Sequence, residues 1–276
     1  MTANDTRYLK RCTIISYIAF TLAIIQSTLA ILGYWSIDES ANERIWFGLA
    51  ELGTMLILII NALFIIYFVG ETKSKEASHV SRMCLYSLIF CFLGDIVNRN
   101  FNQLFYQYDD IIKHSYLADS VAFFIPGYLL IMIAVTQLSL PRLPNKRFMV
   151  ISAAIALGIA VITYIDMHIV GTSTLLTLFT SFYSIVVSLL AISALWLIKA
   201  FKWREAPFTI WACALGLFLA MLADAIIGKF WIFGNDGLGY FPIVSHINWI
   251  IYIGSQALIQ QLPRGILESK NHTQQL

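Results

Sequence analysis

Two aspartates, Asp95 and Asp224, lie inside long apolar stretches and close similar motifs, Leu93–Asp95 and Leu222–Asp224. A carboxyl group at membrane depth is costly because lipid cannot solvate it, which favours a functional role over a structural one. Two carboxyl groups can take different roles in acid–base catalysis. One that its low-dielectric setting keeps protonated donates a proton, and one that is ionised stabilises a cation or activates water.

The composition places these aspartates in a membrane protein. Hydrophobic residues make up 59% of the 276 residues, charged residues only 12%, and the mean hydropathy is +0.74. A helix needs about 20 apolar residues to cross the hydrocarbon of a bilayer. Stretches of this kind occupy 12–34, 45–69, 83–105, 115–138, 148–166, 174–198, 207–230 and 243–262. The sequence therefore predicts an all-α polytopic membrane protein with eight transmembrane helices.

The basic residues alternate between the loops of this eight-helix topology. All but four of the 18 lysines and arginines fall at the N-terminus, in every second loop or in the C-terminal tail. The four on the other side are Arg44, Arg99, Lys113 and Lys229. By the positive-inside rule, both termini are cytoplasmic. We expect one transmembrane domain over 1–262 and a polar cytoplasmic tail over 263–276, in the inner (plasma) membrane of a bacterium.

The same topology predicts the depth of the acidic residues. Helices 3 and 7 both run outward, so a 4 + 4 parallel repeat places Asp95 and Asp224 at similar depth, beyond the middle of their helices. Glu51, near the start of helix 2, and Asp119, near the start of helix 4, share that outer half. Because these last two lie near the interface, structural and functional roles are about equally expected for them.

Helical spacing collects other polar residues on the same faces. On helix 3, steps of three and four residues align Cys84, Ser87, Cys91, Asp95, Asn98 and Asn102. On helix 8, Tyr252, Gln256 and Gln260 share a face, whereas Asp224 is flanked by small residues typical of packed helix interfaces. Asp95 and Asp224 are the candidate catalytic pair. The candidate substrate-binding residues are Glu51, Asn98, Asp119, Tyr252 and Gln256.

Several other classes of site find no support in the sequence. Its histidines lack the H-E-x-x-H spacing of zinc hydrolases, its cysteines lack C-x-x-C spacing, and it contains no glycine-rich phosphate loop. The net charge is +2, and no basic cluster exceeds three residues, which argues against binding to nucleic acid. We therefore expect no metal, no cofactor and no nucleic-acid partner.

Some of these segments resemble the YhhN-like lysoplasmalogenase family of eight-helix membrane proteins. The resemblance covers about residues 45–262 and is carried by Leu88–Asp95, Ala122–Phe124, Leu222–Asp224, Tyr252, Gln256, Leu258 and Ile259. In the family the second motif usually reads Ser-Asp, where this chain has Ala223 before Asp224. The histidine common in helix 4 of the family is replaced near Gly127.

The resemblance implies hydrolysis of the vinyl ether bond of a lysoplasmalogen or related lysolipid, with release of a fatty aldehyde. Asp224, among apolar and small neighbours, is the preferred acid. Asp95 is the preferred carboxylate because Asn98 and Arg99 are placed to stabilise its charge. Arg99 is equally placed to reach the outer interface. Two alternatives remain open: a proton- or ion-coupled transporter, and a lipid-binding or signalling membrane protein without turnover.

Overall fold

The computed structural model describes residues 3–35, 41–72, 74–99, 101, 112–166, 174–232 and 242–275. Within these ranges the chain forms nine α-helices. They are α1 (Ala3–Ile31), α2 (Ala41–Glu71), α3 (Lys75–Arg99), α4 (Ile112–Ser139), α5 (Arg147–Asp166), α6 (Thr174–Ala200), α7 (Phe208–Ile226), α8 (Pro242–Ile259) and α9 (Leu262–Gln275). A π-helical segment, Ile227–Ile232, continues α7.

Seven helices, α1 to α7, are long and apolar enough to cross a membrane. Their outward faces carry large exposed side chains such as Leu56, Leu63, Ile155 and Leu215, which suit contact with lipid. The helical class and the membrane assignment are thus confirmed. The helix predicted as the eighth span, α8, has 18 residues and is not among these seven in the described part of the chain. At 1.5 Å per residue it is about 27 Å long.

The helices close into a ring. Around it run α1, α2, α3, α4, α6, α7 and α8 in that order, each packing on the next, and α8 packs on α1. Helix α5 lies outside the ring, against α6. This order places α2, α3, α4, α7 and α8, which carry the polar candidates, around a shared interior.

Two glycines allow neighbouring helices of the ring to approach closely. A Cβ atom on Gly127 of α4 would lie 2.9 Å from Cys91 Sγ and 3.1 Å from the carbonyl oxygen of Ser87, both on α3. A Cβ atom on Gly216 of α7 would lie 2.9 Å from the carbonyl oxygen of Ser255 on α8. Real side chains do not tolerate such distances. Glycine at these positions therefore sets the spacing of the α3–α4 and α7–α8 pairs.

The segment predicted as a polar tail contains a helix that packs on the bundle. Helix α9 contacts α3 and α7, and it buries Leu262, Ile266 and Leu267 while Lys270 is exposed. Because Leu262 and Ile266 are four residues apart, they lie on one face of the helix. Helix α9 is thus amphipathic and covers one end of the ring.

Candidate functional site

Asp95 and Tyr252 join α3 to α8 in the interior of the ring. Both residues are buried, with 3% and 5% of their surface exposed. The Tyr252 hydroxyl donates a hydrogen bond of 3.0 Å to Asp95 Oδ2. Ser87, Cys91 and Asp95, which the sequence aligns on one face of α3, are all buried. The predicted polar stripe therefore faces protein rather than lipid over this part of the helix; Asn102 lies outside the described residues.

Arg99, one turn beyond Asp95 on α3, forms an ion pair with Glu51 of α2. The Glu51 side chain is 2% exposed and that of Arg99 is 23% exposed. The guanidinium carbon also lies 4.8 Å from the centre of the Trp249 ring on α8, a cation–π contact. Asp95 interacts electrostatically with both Arg99 and Glu51. Glu51, a predicted substrate-binding residue, is thus engaged within the protein as the partner of Arg99.

Asp224 has different surroundings. The hydroxyl groups of Tyr128 of α4 and Tyr183 of α6 lie near its carboxyl group. Their rings are stacked, with centres 6.2 Å apart and planes inclined by 11°. Among the described residues, neither Asp224 Oδ2 nor the Tyr128 hydroxyl, both buried, has a hydrogen-bond partner within bonding distance. One carboxyl oxygen of Asp224 is therefore available to a bound molecule.

Cys91 connects the two halves of the site. Its thiol interacts electrostatically with both aspartates, and the hydroxyl of Tyr252 approaches it. The charge of Asp224 also acts on the carboxyl group of Asp95. We call the six residues of this interior group the carboxylate cluster: Cys91, Asp95, Tyr128, Tyr183, Asp224 and Tyr252. Two aspartates that are 129 positions apart in the sequence thus share one buried site.

The remaining candidates differ in their relation to the cluster. Gln256 is 2% exposed and lies one turn from Tyr252 on α8. Asn98 is half-buried on α3, and its Oδ1 has no hydrogen-bond partner in the described part of the chain. Asp119, near the start of α4, is exposed and is not among the groups that interact with either aspartate. The structure thus brings Gln256 near the cluster and leaves Asp119 apart.

The sequence analysis did not identify Tyr128, Tyr183 or Trp249. A signal for the first two was present, because a tyrosine far inside an apolar helix needs a partner for its hydroxyl group. Their convergence on Asp224 depends on the contact between α4 and α6, which the order of helices along the chain does not reveal.

The arrangement supports proton transfer. Two carboxyl groups and three phenols share a buried site, and one carboxyl oxygen and one phenol lack hydrogen-bond partners among the described residues. In that same part of the chain, no group of three or more His, Cys, Asp or Glu residues is placed to bind a metal ion. The chain matches no protein-family model, no curated protein and no solved structure. The fold and the site together define a helical membrane protein with a buried carboxyl pair.

Proposed function

We propose that this protein is a lysoplasmalogenase-like hydrolase, which cleaves the vinyl ether bond of a lysoplasmalogen or a related lysolipid. The proposal starts from the resemblance of its sequence motifs to the YhhN-like family. One structural observation carries it further: Asp95 and Asp224 share one buried cluster but have different neighbours. Vinyl ether hydrolysis needs an acid and an anion, and a carboxyl pair with unlike surroundings can provide both.

In this proposal Asp224 is the acid. Its Oδ2 has no hydrogen-bond partner among the described residues, so this oxygen can face a substrate carbon, while Tyr183 orients the carboxyl group. Asp95 is the anion. Burial disfavours a charge at this position, and the hydrogen bond from Tyr252 and the nearby positive charge of Arg99 oppose that effect.

The reaction balances with water as the only co-substrate. Asp224 transfers its proton to the vinyl carbon β to the ether oxygen, which leaves an oxocarbenium ion facing the Asp95 carboxylate. Water adds to the cationic carbon, and Asp224 recovers a proton from that water. The resulting hemiacetal breaks its bond to the ether oxygen and gives a fatty aldehyde and a glycerophospho-alcohol. Asn98 and Gln256 provide hydrogen bonds to substrate or water.

The proposal includes an orientation in the membrane. The termini, the basic loops and α9 lie on the cytoplasmic side of a bacterial inner membrane, as the positive-inside rule indicates. The lipid chain then lies between apolar helix faces. Its headgroup points toward the outer leaflet, on the side of Arg99.

We also propose the 4 + 4 repeat as the origin of the paired aspartates. Successive contacts support it, since α1 to α4 pack in sequence and α5 to α8 do the same. The first helices of the two halves depart from the repeat. Helix α1 belongs to the ring between α2 and α8, whereas α5 lies outside against α6.

Product analysis tests the proposed reaction. Purified protein is incubated in D₂O with a lysoplasmalogen and, separately, with a lysophospholipid that carries an ester, and the products are identified by mass spectrometry. We expect fatty aldehyde from the lysoplasmalogen, with one deuterium on the carbon next to the carbonyl group, because protonation occurs at that carbon.

Other products would indicate a different function. Fatty acid from the ester without aldehyde would indicate a lipid hydrolase of another kind. If folded protein gave no product from either lipid, the hydrolase proposal would fail and the transporter and lipid-binding alternatives would gain. Uptake into vesicles and saturable lipid binding would then separate those two.

A further inference from the structure

Helix α8 carries a row of buried polar side chains that leads away from the carboxylate cluster. Tyr252 and Gln256 are four residues apart on α8, and Gln260 follows four residues later, directly after the helix. Side chains at this spacing lie on one face. Both glutamines are 2% exposed, and both Nε2 atoms lack hydrogen-bond partners among the described residues.

At Gln260 the row meets a second polar group that lies outside the proposed catalytic site. Gln260 Oε1 accepts a hydrogen bond of 3.1 Å from Asn61 Nδ2 on α2. The same nitrogen of Asn61 lies 2.8 Å from Ser16 Oγ on α1. Gln261 Nε2 donates to Ser16 Oγ at 3.1 Å. These four side chains are at least 95% buried.

The polar group continues to the surface at the α9 end of the ring. Thr13 Oγ1 donates to Gln261 Oε1 at 2.6 Å and accepts from Arg264 Nη1 at 2.7 Å. Arg264 in turn pairs with Glu268 at 2.7 Å, and these side chains are 18% and 25% exposed. Polar side chains therefore extend from the carboxylate cluster to the α9 end of the bundle.

Three polar atoms along this path have hydrogen-bonding capacity that the described protein groups do not use. Gln256 Nε2, Gln260 Nε2 and Asn61 Oδ1 are buried, and none has a hydrogen-bond partner in the described part of the chain. Leaving such an atom unpaired is energetically costly. Buried polar groups of this kind are commonly satisfied by internal water.

The spacing of the row also suits water. Residues four apart are separated by about 6 Å along a helix axis. This is about twice a typical hydrogen-bond length of about 2.9 Å. One or two water molecules can therefore bridge each interval, from Tyr252 to Gln256 and from Gln256 to Gln260.

We propose that the row Tyr252–Gln256–Gln260 holds a file of water molecules, which connects the carboxylate cluster to the α9 end of the bundle through Asn61 and Ser16. The proposal does not depend on the vinyl ether reaction. Any function that exchanges protons or water at the buried aspartates needs such a path.

Hydroxyl-radical footprinting by X-ray irradiation tests this path in the full-length protein. Radiolysis forms radicals from water where it lies, so a buried side chain is modified only when water is adjacent. Mass spectrometry then measures modification of Cys91 and Tyr252 in the cluster. Trp196 of α6 is the reference, because it is also buried but its Nε1 bonds to Ser152.

The variants are Gln256→Met and Gln260→Met, which keep the side-chain length and remove the amide. Gln26→Met is the matched control, since Gln26 bonds to the carbonyl oxygen of Ala50 outside the row. We expect modification of Cys91 and Tyr252 in the wild type and in Gln26→Met. In the two row variants it should fall toward the level of Trp196.

Two results would overturn the water file. One is a wild type in which Cys91 and Tyr252 are no more modified than Trp196, a comparison that needs no variant. The other is a pair of folded row variants, checked by gel filtration and circular dichroism, with unchanged modification. Neither result depends on aldehyde release, so failure here is distinct from failure of the proposed hydrolase.

Discussion

Neutralising Glu51 should destabilise the protein through Arg99. In Glu51→Gln the guanidinium of Arg99 loses its ion-pair partner. Removing one member of a buried ion pair costs about 3–5 kcal/mol. Arg99 is 23% exposed and keeps its contact with the Trp249 ring, which is worth about 1 kcal/mol. We therefore expect the free energy of unfolding to fall by about 2–3 kcal/mol.

A double-mutant cycle with Glu51→Gln, Arg99→Met and the double variant isolates the pair, and reversible unfolding in mixed micelles measures each free energy. Because the double variant removes both charges of this pair, it should recover part of the loss, while Asp95 then lacks the positive charge of Arg99. Glu76→Gln is the control. Its partners are Arg142 and Lys270, and all three side chains are more than a quarter exposed, so this change should cost less than about 1 kcal/mol. Equal effects of Glu51→Gln and Glu76→Gln, or no coupling in the cycle, would refute the reasoning.

Two further predictions concern packing. Gly127→Ala places a Cβ atom 2.9 Å from Cys91 Sγ, so it should lower the free energy of unfolding by about 1–3 kcal/mol. Gly158→Ala is the control, because a Cβ atom there would have no atom within 4 Å, and it should be neutral or stabilising. Thermal unfolding monitored by tryptophan fluorescence compares the two variants. Glu268→Gln weakens both the 2.6 Å hydrogen bond from Thr209 and the ion pair with Arg264. Helix α9 should therefore be cleaved faster in limited proteolysis. Unchanged cleavage would contradict the attachment of α9 through Glu268.

The sequence predicted a helical membrane protein because hydropathy reports directly on transmembrane helices. It also identified Asp95 and Asp224, since a carboxyl group within an apolar helix is conspicuous. Their convergence was not predictable. It depends on the ring order, in which α4 packs on α6 and leaves α5 outside.

Two other features depend on tertiary contacts. The sequence offered Arg99 as a partner of Asp95 or as a residue reaching the interface. It forms an ion pair with Glu51 on α2, and its charge also acts on Asp95. The closeness of α2 and α3 at Gly48, where a Cβ atom would lie 3.4 Å from Arg99 Cδ, permits that pair. The sequence analysis did not predict helix α9. The low hydropathy of this segment indicated a polar tail, although Leu262 and Ile266 have helical spacing.

The central claim is that both aspartates act in one buried site, and the rates of aldehyde release by Asp95→Asn and Asp224→Asn test it most directly. Loss of a positioned acid or base typically costs about 10²–10⁴ in rate, so each variant should lose at least about a hundredfold. The exposed Asp119→Asn is the matched control and should retain the wild-type rate. Wild-type aldehyde release by either cluster variant, in protein that elutes and melts as the wild type does, would contradict the account.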